Sequence, residues 1–385
     1  MSSPVLLPGA NAENAFNLAL NAAYSRAMQP GKTYDEPHFV RELISIQTLN
    51  DLNAAASNTY DSSANVIRFA GAFIHGTPCA KFTALNGASS KACRRELADA
   101  VVMLNKTEPD FSGVHQITSR MACLLMFKTK DAQKPKCPRY DHTGLTSPSD
   151  GDQDQFHLFS SWPQFDLEDS SCNPLGSYFI KQPAGSPNEH SHGKFAALWS
   201  PTTKKPNPWF DKWRYANPKP SENVTDSLGH LLRNMVDTGK NDGREYDTAG
   251  PSDWDKLIAT LNTFSISHSW GGAIRSANPA GLSFLQVQSI LDTSLGTVAQ
   301  HVRSMLTPGH LRNPHLAYAL EDIHDLNRRF NSIDYSADVE GIPILSITVS
   351  SFRCPEYTEP LTPESRSRLF NTALNDIWTM TRSFD

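Results

Sequence analysis

Between Ser252 and Phe330 apolar residues return at steps of three and four through three successive runs, the longest helical periodicity in the chain. Ser252 with Asp255 three places on is an N-cap signature ahead of Trp254, Leu257, Ile258 and Leu261. Beyond Gly271 and Gly272, the residues Phe284, Val287, Ile290, Leu291, Leu295 and Val298 repeat the spacing, and Val302, Met305 and Leu306 extend it. Leu316, Leu320, Ile323, Leu326 and Phe330 form a third run after Pro314. Three amphipathic stripes so close in sequence are expected to bury on one another. Arg275, Arg303, Arg312, Arg328 and Arg329 then belong on the polar faces, because an unpaired guanidinium is too costly inside.

The rest of the chain is read against that block. Helices are expected over Ala12 to Met28, over Glu36 to Ala56, from Ser89 or Ser90 through Leu104, and over Phe111 to Phe127. Val66 to Ile74 fits a strand or a buried helix equally. From Lys128 to Pro220 the character changes. A basic run of Lys128, Lys130, Lys134, Lys136 and Arg139 gives way to Asp141–Asp169, which holds no Lys or Arg, and Pro, Ser and Asn dominate. That segment is expected to be a long irregular excursion. A helix should resume at Ser221, a strand should occupy Ile342 to Val349, and Thr362-Pro363-Glu364 should open a last helix. The fold class so read is mainly α, with two helical lobes, a Pro-rich irregular middle and terminal arms. Its divisions are an arm at 1–11, a helical lobe at 12–130, the loop-rich segment at 131–220, a second lobe at 221–340, and a strand and helix at 341–385 that serve as an exchange arm.

Composition bounds what such a chain does. With 385 residues there is length for two cores, while a 39% apolar fraction and 26 prolines imply much irregular structure. No run approaches the roughly 18 apolar residues of a membrane span, and Met1–Ala10 has no basic flank, so no membrane and no secretion are expected. The six cysteines show no paired spacing and read as reduced thiols. A net charge of −5 excludes a surface coated in cations but not a local groove.

Catalytic strings are weak. Ser267-His268-Ser269-Trp270-Gly271-Gly272 resembles the nucleophile elbow of an α/β-hydrolase, with Ser269 as nucleophile. It has Ser267 where the tight turn needs Gly, and helical spacing precedes it. His190, His192, His157 and Cys172 are candidate metal ligands without a second pair to complete a site, and read better as solvated loop residues. No phosphate-binding glycine string occurs, and no cofactor is expected. Lys194 to Lys219 differs in kind, for it interleaves Lys194, Lys204, Lys205, Lys212, Arg214 and Lys219 with Phe195, Trp199, Trp209, Phe210, Trp213 and Tyr215. Single-stranded nucleic acid needs that mixture, cations for phosphates and flat rings for bases. The competing reading has the rings anchoring a loop while the lysines stay wet.

Arg68-Phe69-Ala70-Gly71-Ala72-Phe73-Ile74-His75-Gly76-Thr77-Pro78 resembles a stretch of the amino-terminal helical domain in nucleoproteins of non-segmented negative-strand RNA viruses, nearest to the bornavirus group and the fungal mymonaviruses. The resemblance implies a non-enzymatic protein that clamps single-stranded RNA between two helical lobes and polymerises through terminal arms. It implies partners in RNA, in further copies of itself, and in a viral polymerase or phosphoprotein, with a location in the virion and host cytoplasm. The RNA contacts expected on this reading are Lys128, Lys130, Lys212, Trp209, Trp213, Arg214, Arg275, Arg303, Arg312 and Arg328. A fungal or plant virus capsid protein is the next reading, and an esterase using Ser269 the third.

Overall fold

The structure is a computed structural model that describes residues 4–28, 36–61, 65–72, 78–86, 89–109, 115–130, 134–137, 151–181, 191–199, 209–237, 242–269 and 344–351. Six helices and twelve strands are present among them, so the chain is mixed α and β and not mainly α. The second and third helical runs of the opening block, the helix expected at 362 and the stretch 73–78 up to Thr77 lie outside the described residues.

The amino-terminal helices form where periodicity and caps coincide. Helix α1 (Ala12–Ala27) starts at Asn11, whose side chain accepts from Asn14 N at 3.0 Å. The single helix expected from Glu36 to Ala56 is two, α2 (Glu36–Leu43) and α3 (Ile46–Ser57). Ser45 interrupts them because its hydroxyl caps the second, accepting from Thr48 N at 3.2 Å.

The helices expected from Ser89 or Ser90 through Leu104 and over Phe111 to Phe127 do not form. The described residues of 65–130 make five strands: β1 (Asn65–Ala72), β2 (Cys79–Asn86), β3 (Ser89–Glu96), β4 (Ala100–Pro109) and β5 (His115–Lys130). The physical cause is burial on both faces. Val101 to Leu104 are at most 1% exposed and Met121 to Phe127 at most 5%, as one continuous run each. Such a run satisfies a period of 3.6 and a period of 2 at once. A strand flanked on both sides and covered on both faces takes that composition.

The described parts of the middle segment also hold regular elements. They supply α4 (Gly151–Ser161), β6 (Phe165–Glu168), β7 (Pro174–Tyr178), β8 (Gly193–Trp199) and β9 (Trp213–Ala216). Every residue of β8 is buried. The described carboxy-terminal part adds β10 (Asp226–Ser227), α5 (Leu228–Asp237), β11 (Arg244–Glu245), α6 (Asp253–Ser269) and β12 (Ile344–Ser351). Helix α6 begins at the expected box, Asp255 N donating to Ser252 Oγ at 3.1 Å and Ser252 N to Asp255 Oδ2 at 3.1 Å.

One sheet runs β1-β12-β4-β5-β8-β9-β10, with β11 added beside β5; a second runs β3-β2-β6-β7. Pairs β12/β4 and β5/β8 are parallel and the others antiparallel. Strands from the described parts of 65–130, 151–220 and 226–245 share these two sheets, so these parts are not purely helical. Helix α1 packs on α3, α5 and β9, and Asn17 joins it to α5 by accepting from Gly229 N at 3.0 Å. Any side chain at position 229 would collide with Asn17. At the outer edge, Phe69 N donates to Asn53 Oδ1 at 2.7 Å and Asn53 Nδ2 to Phe69 O at 3.0 Å, which blunts β1 against further pairing.

Candidate nucleic-acid interface

The aromatic and basic segment enters β9 against helix α1. Asn21 fixes its approach from both sides, donating through Nδ2 to Phe210 O at 3.2 Å and accepting at Oδ1 from Lys212 N at 2.9 Å. Trp213 is driven inward, where its Nε1 donates to Leu20 O at 2.7 Å and its ring meets Phe127 edge-on at 5.8 Å. Trp209 also turns in and meets Trp199 edge-on at 5.5 Å. Both tryptophans are 1% exposed, so neither offers a face to a base, and the anchoring reading holds for them.

The alternate residues turn the other way. Phe210 is 74% exposed, the most exposed large apolar side chain described. Lys212 donates from Nζ to Trp209 O, and the Arg214 guanidinium lies 4.9 Å above the Trp209 ring. Neither cation has an ion pair among the described residues. Asp211 Oδ1 and Arg214 Nε are buried without hydrogen bonds. Burial depresses the pKa of Lys212 and of Arg214, with Asp211 opposing, and burial raises that of Asp211. Arg214 stays charged through that shift. The result is an exposed ring followed two and four residues later by cations that have no ion pair among the described residues.

The other expected contacts are not gathered there. Lys128 is buried, its Nζ 3.1 Å from Glu36 Oε2, so its charge is already matched and it is not a free phosphate ligand. Lys130 folds its Nζ to 5.6 Å from the centre of the Phe195 ring. Lys194, from the same interleaved segment, is 2% exposed and held by Asp242 at 3.3 Å and Asn217 Oδ1 at 2.7 Å. Arg275, Arg303, Arg312 and Arg328 lie outside the described residues. A second cationic feature does form. Lys136 bridges to Asn223, Val224 N donates to Pro135 O at 2.9 Å, and exposed Lys134, Lys136 and Lys219 share that crossing with the acidic Glu222.

Phe210 was the missed residue, though the signal was present. Trp209, Trp213 and Tyr215 alternate with Phe210, Lys212 and Arg214, and a period of two separates a buried face from an open one.

The remaining motifs resolve plainly. Ser269 ends helix α6, so the strand that a nucleophile elbow requires is helix. His192 is buried, 4.7 Å from the Trp254 ring, and His157 is buried within α4; neither is a solvated loop residue. His190 lies outside the described residues. Among the described residues no three of His, Cys, Asp and Glu converge as a metal site, and no helix is long and apolar enough to cross a membrane. Compared with known protein families, curated proteins and solved structures, the chain matches none.

Proposed function

We propose that the chain binds single-stranded RNA without regard to sequence and self-associates along it, in the manner of a viral nucleoprotein. The observation that carries the reading is Phe210, 74% exposed, with Lys212 and Arg214 two and four residues on, both packed against Trp209. A base stacks on any flat ring, and neighbouring phosphates take the two cations. Burial of the tryptophans moves the stacking role from Trp209 and Trp213 to Phe210, and the contact surface from a cleft between lobes to the outer side of β9.

The test is binding of a labelled oligouridylate at several salt concentrations. Phe210→Ala should weaken binding by roughly 5- to 150-fold with the salt slope kept, since a stacked base is worth about 1–3 kcal/mol. Lys212→Ala should flatten the slope by about one. If both variants match the parent in affinity and slope, the reading is wrong.

Self-association is assigned to the amino-terminal segment. Val5, Leu6 and Leu7 are 51%, 42% and 37% exposed, while Leu7 N donates to Thr59 O at 2.8 Å and Asp61 N to Val5 O at 2.8 Å. The main chain is therefore held in place with its apolar side chains outward, a surface that a second copy would cover. Removing residues 2–9 leaves the Asn11 cap and should reduce the mass in light scattering to that of one chain. An unchanged mass would dismiss the arm.

A further inference from the structure

Five cysteines are described, and they divide sharply by access. Cys93, Cys123 and Cys137 are at most 4% exposed, whereas Cys79 is half-buried and Cys172 exposed. The two that water reaches sit at one end of the four-stranded sheet. Cys79 opens β2 and is in register with Glu168, the last residue of β6. Cys172 lies in the turn that follows, its N–H donating to Asp169 O at 3.1 Å, with a φ of 64° that side chains rarely adopt.

Arg94 of β3 ties that turn to the strand pair. Its Nε donates to Glu168 Oε2 at 3.1 Å and its Nη2 to Asp169 O at 2.9 Å. In an antiparallel sheet, residues in register share a face with those two positions along. Cys79, Lys81, Arg94 and Glu168 are so related, and the Arg94 contact with Asp169 O ties the start of the Cys172 turn to that face. Each sulfur lies within the electrostatic reach of Arg94 and of the other sulfur.

We propose that Cys79 and Cys172 form a reversible disulfide, a modification site whose oxidant is a small disulfide such as oxidised glutathione. Cys172 is the attacking thiol because it is the exposed one, and burial holds the Cys79 thiol above its ordinary pKa. The Cys172 thiolate attacks one glutathione sulfur, forming a mixed disulfide and releasing one glutathione thiolate. The Cys79 thiolate then attacks the Cys172 sulfur and releases the second. Two protons pass from the protein thiols to the two leaving thiolates, so one disulfide is made and one is consumed. Arg94 favours the Cys79 thiolate of the second step by its charge. This site is independent of the RNA reading.

The experiment incubates the full chain in graded glutathione buffers, quenches with an alkylating agent and identifies peptides by mass. The parent should yield a Cys79–Cys172 linked pair, two hydrogens lighter than the free peptides and restored by dithiothreitol. Cys79→Ser should stop at one glutathione on Cys172, and Cys172→Ser should leave Cys79 unmodified. The proposal is overturned if the parent accumulates glutathione on Cys172 as Cys79→Ser does, if Cys172 links to a different cysteine, or if neither thiol reacts.

Discussion

The two sheets contrast in how many faces they hide. In the eight-stranded sheet, β5 from Met121 to Phe127 and all of β8 are buried, so no side of those strands meets water. In the four-stranded sheet β2 alternates, with Ala80, Phe82 and Ala84 inside and Lys81 and Thr83 outside. Polar groups consequently meet different fates. The larger sheet must match its charges internally, as in Lys194 with Asp242 and Lys128 with Glu36. The smaller one shows Lys81 and Arg94 to solvent, both paired with Glu168 near Cys79. Chemistry directed outward is to be sought on the one-faced sheet or at strand ends, and the two-faced sheet serves as the frame.

Charge pairs give the sharpest way to break that contrast. Asp242→Ala strands the Lys194 ammonium where it is 2% exposed, and should cost roughly 3–5 kcal/mol in denaturant unfolding. Lys81→Ala removes a pair measured at 3.6 Å whose lysine side chain is 58% exposed, and should cost no more than about 1 kcal/mol. Equal losses would mean the two sheets do not differ in solvation.

Apolar truncation follows. Leu125→Ala in β5 should cost about 2–5 kcal/mol through lost transfer energy and the cavity left behind. Thr83→Ala on the open face should stay within about 0.5 kcal/mol. The same unfolding curves settle it, and a Thr83 effect as large as that of Leu125 would show the outer face to be covered.

The last test is a pH dependence. Beyond Leu125, opposite the start of β4, β5 keeps only β8 as a partner, and its N–H groups at Phe127 and Thr129 donate to Asp99 Oδ2 at 2.7 Å and Glu36 Oε1 at 3.2 Å. Burial pushes the Asp99 carboxyl up from 3.8 to about 8; Glu96 and Glu36 add to this, and Lys128 and the Phe127 N–H oppose it. The folded state then binds more protons than the unfolded state between those values. Stability from this group is full below the unfolded pKa and is lost as pH rises toward about 8. Asp99→Asn keeps the acceptor and removes the titration, so it should gain stability over the parent steadily from acid to pH 8. A constant difference across that range would show that Asp99 does not titrate there.

The same contrast explains which elements were legible beforehand. Helix α1 and the start of α6 were readable because cap, first turn and stripe are local. The strand expected at 342–349 appears as Ile344–Ser351, betrayed by its β-branched residues. β4 and β5 were not readable, since a run buried on both faces loses the polar positions that reveal a period. Lys194 looked like a wet cation because its partner, Asp242, is supplied by a remote loop. At the candidate interface, composition picked the segment and erred on the face. Tryptophan counts as a stacking ring only if it points outward, and in this segment the exposed ring is Phe210.

β12 lies between β1 and β4, and its Ser351 Oγ donates to Asn65 Oδ1 at 2.9 Å across 286 positions of sequence. During synthesis the ribosome delivers β1 and β4 long before the strand that joins them. Throughout that interval both carry a bare row of amide and carbonyl groups facing the gap, the kind of edge that recruits foreign strands. The sheet cannot zip from one end as the chain emerges; it must hold a slot open and close it late, a slow step of high contact order. A nascent chain of this design has reason to lean on a chaperone until residue 351 arrives.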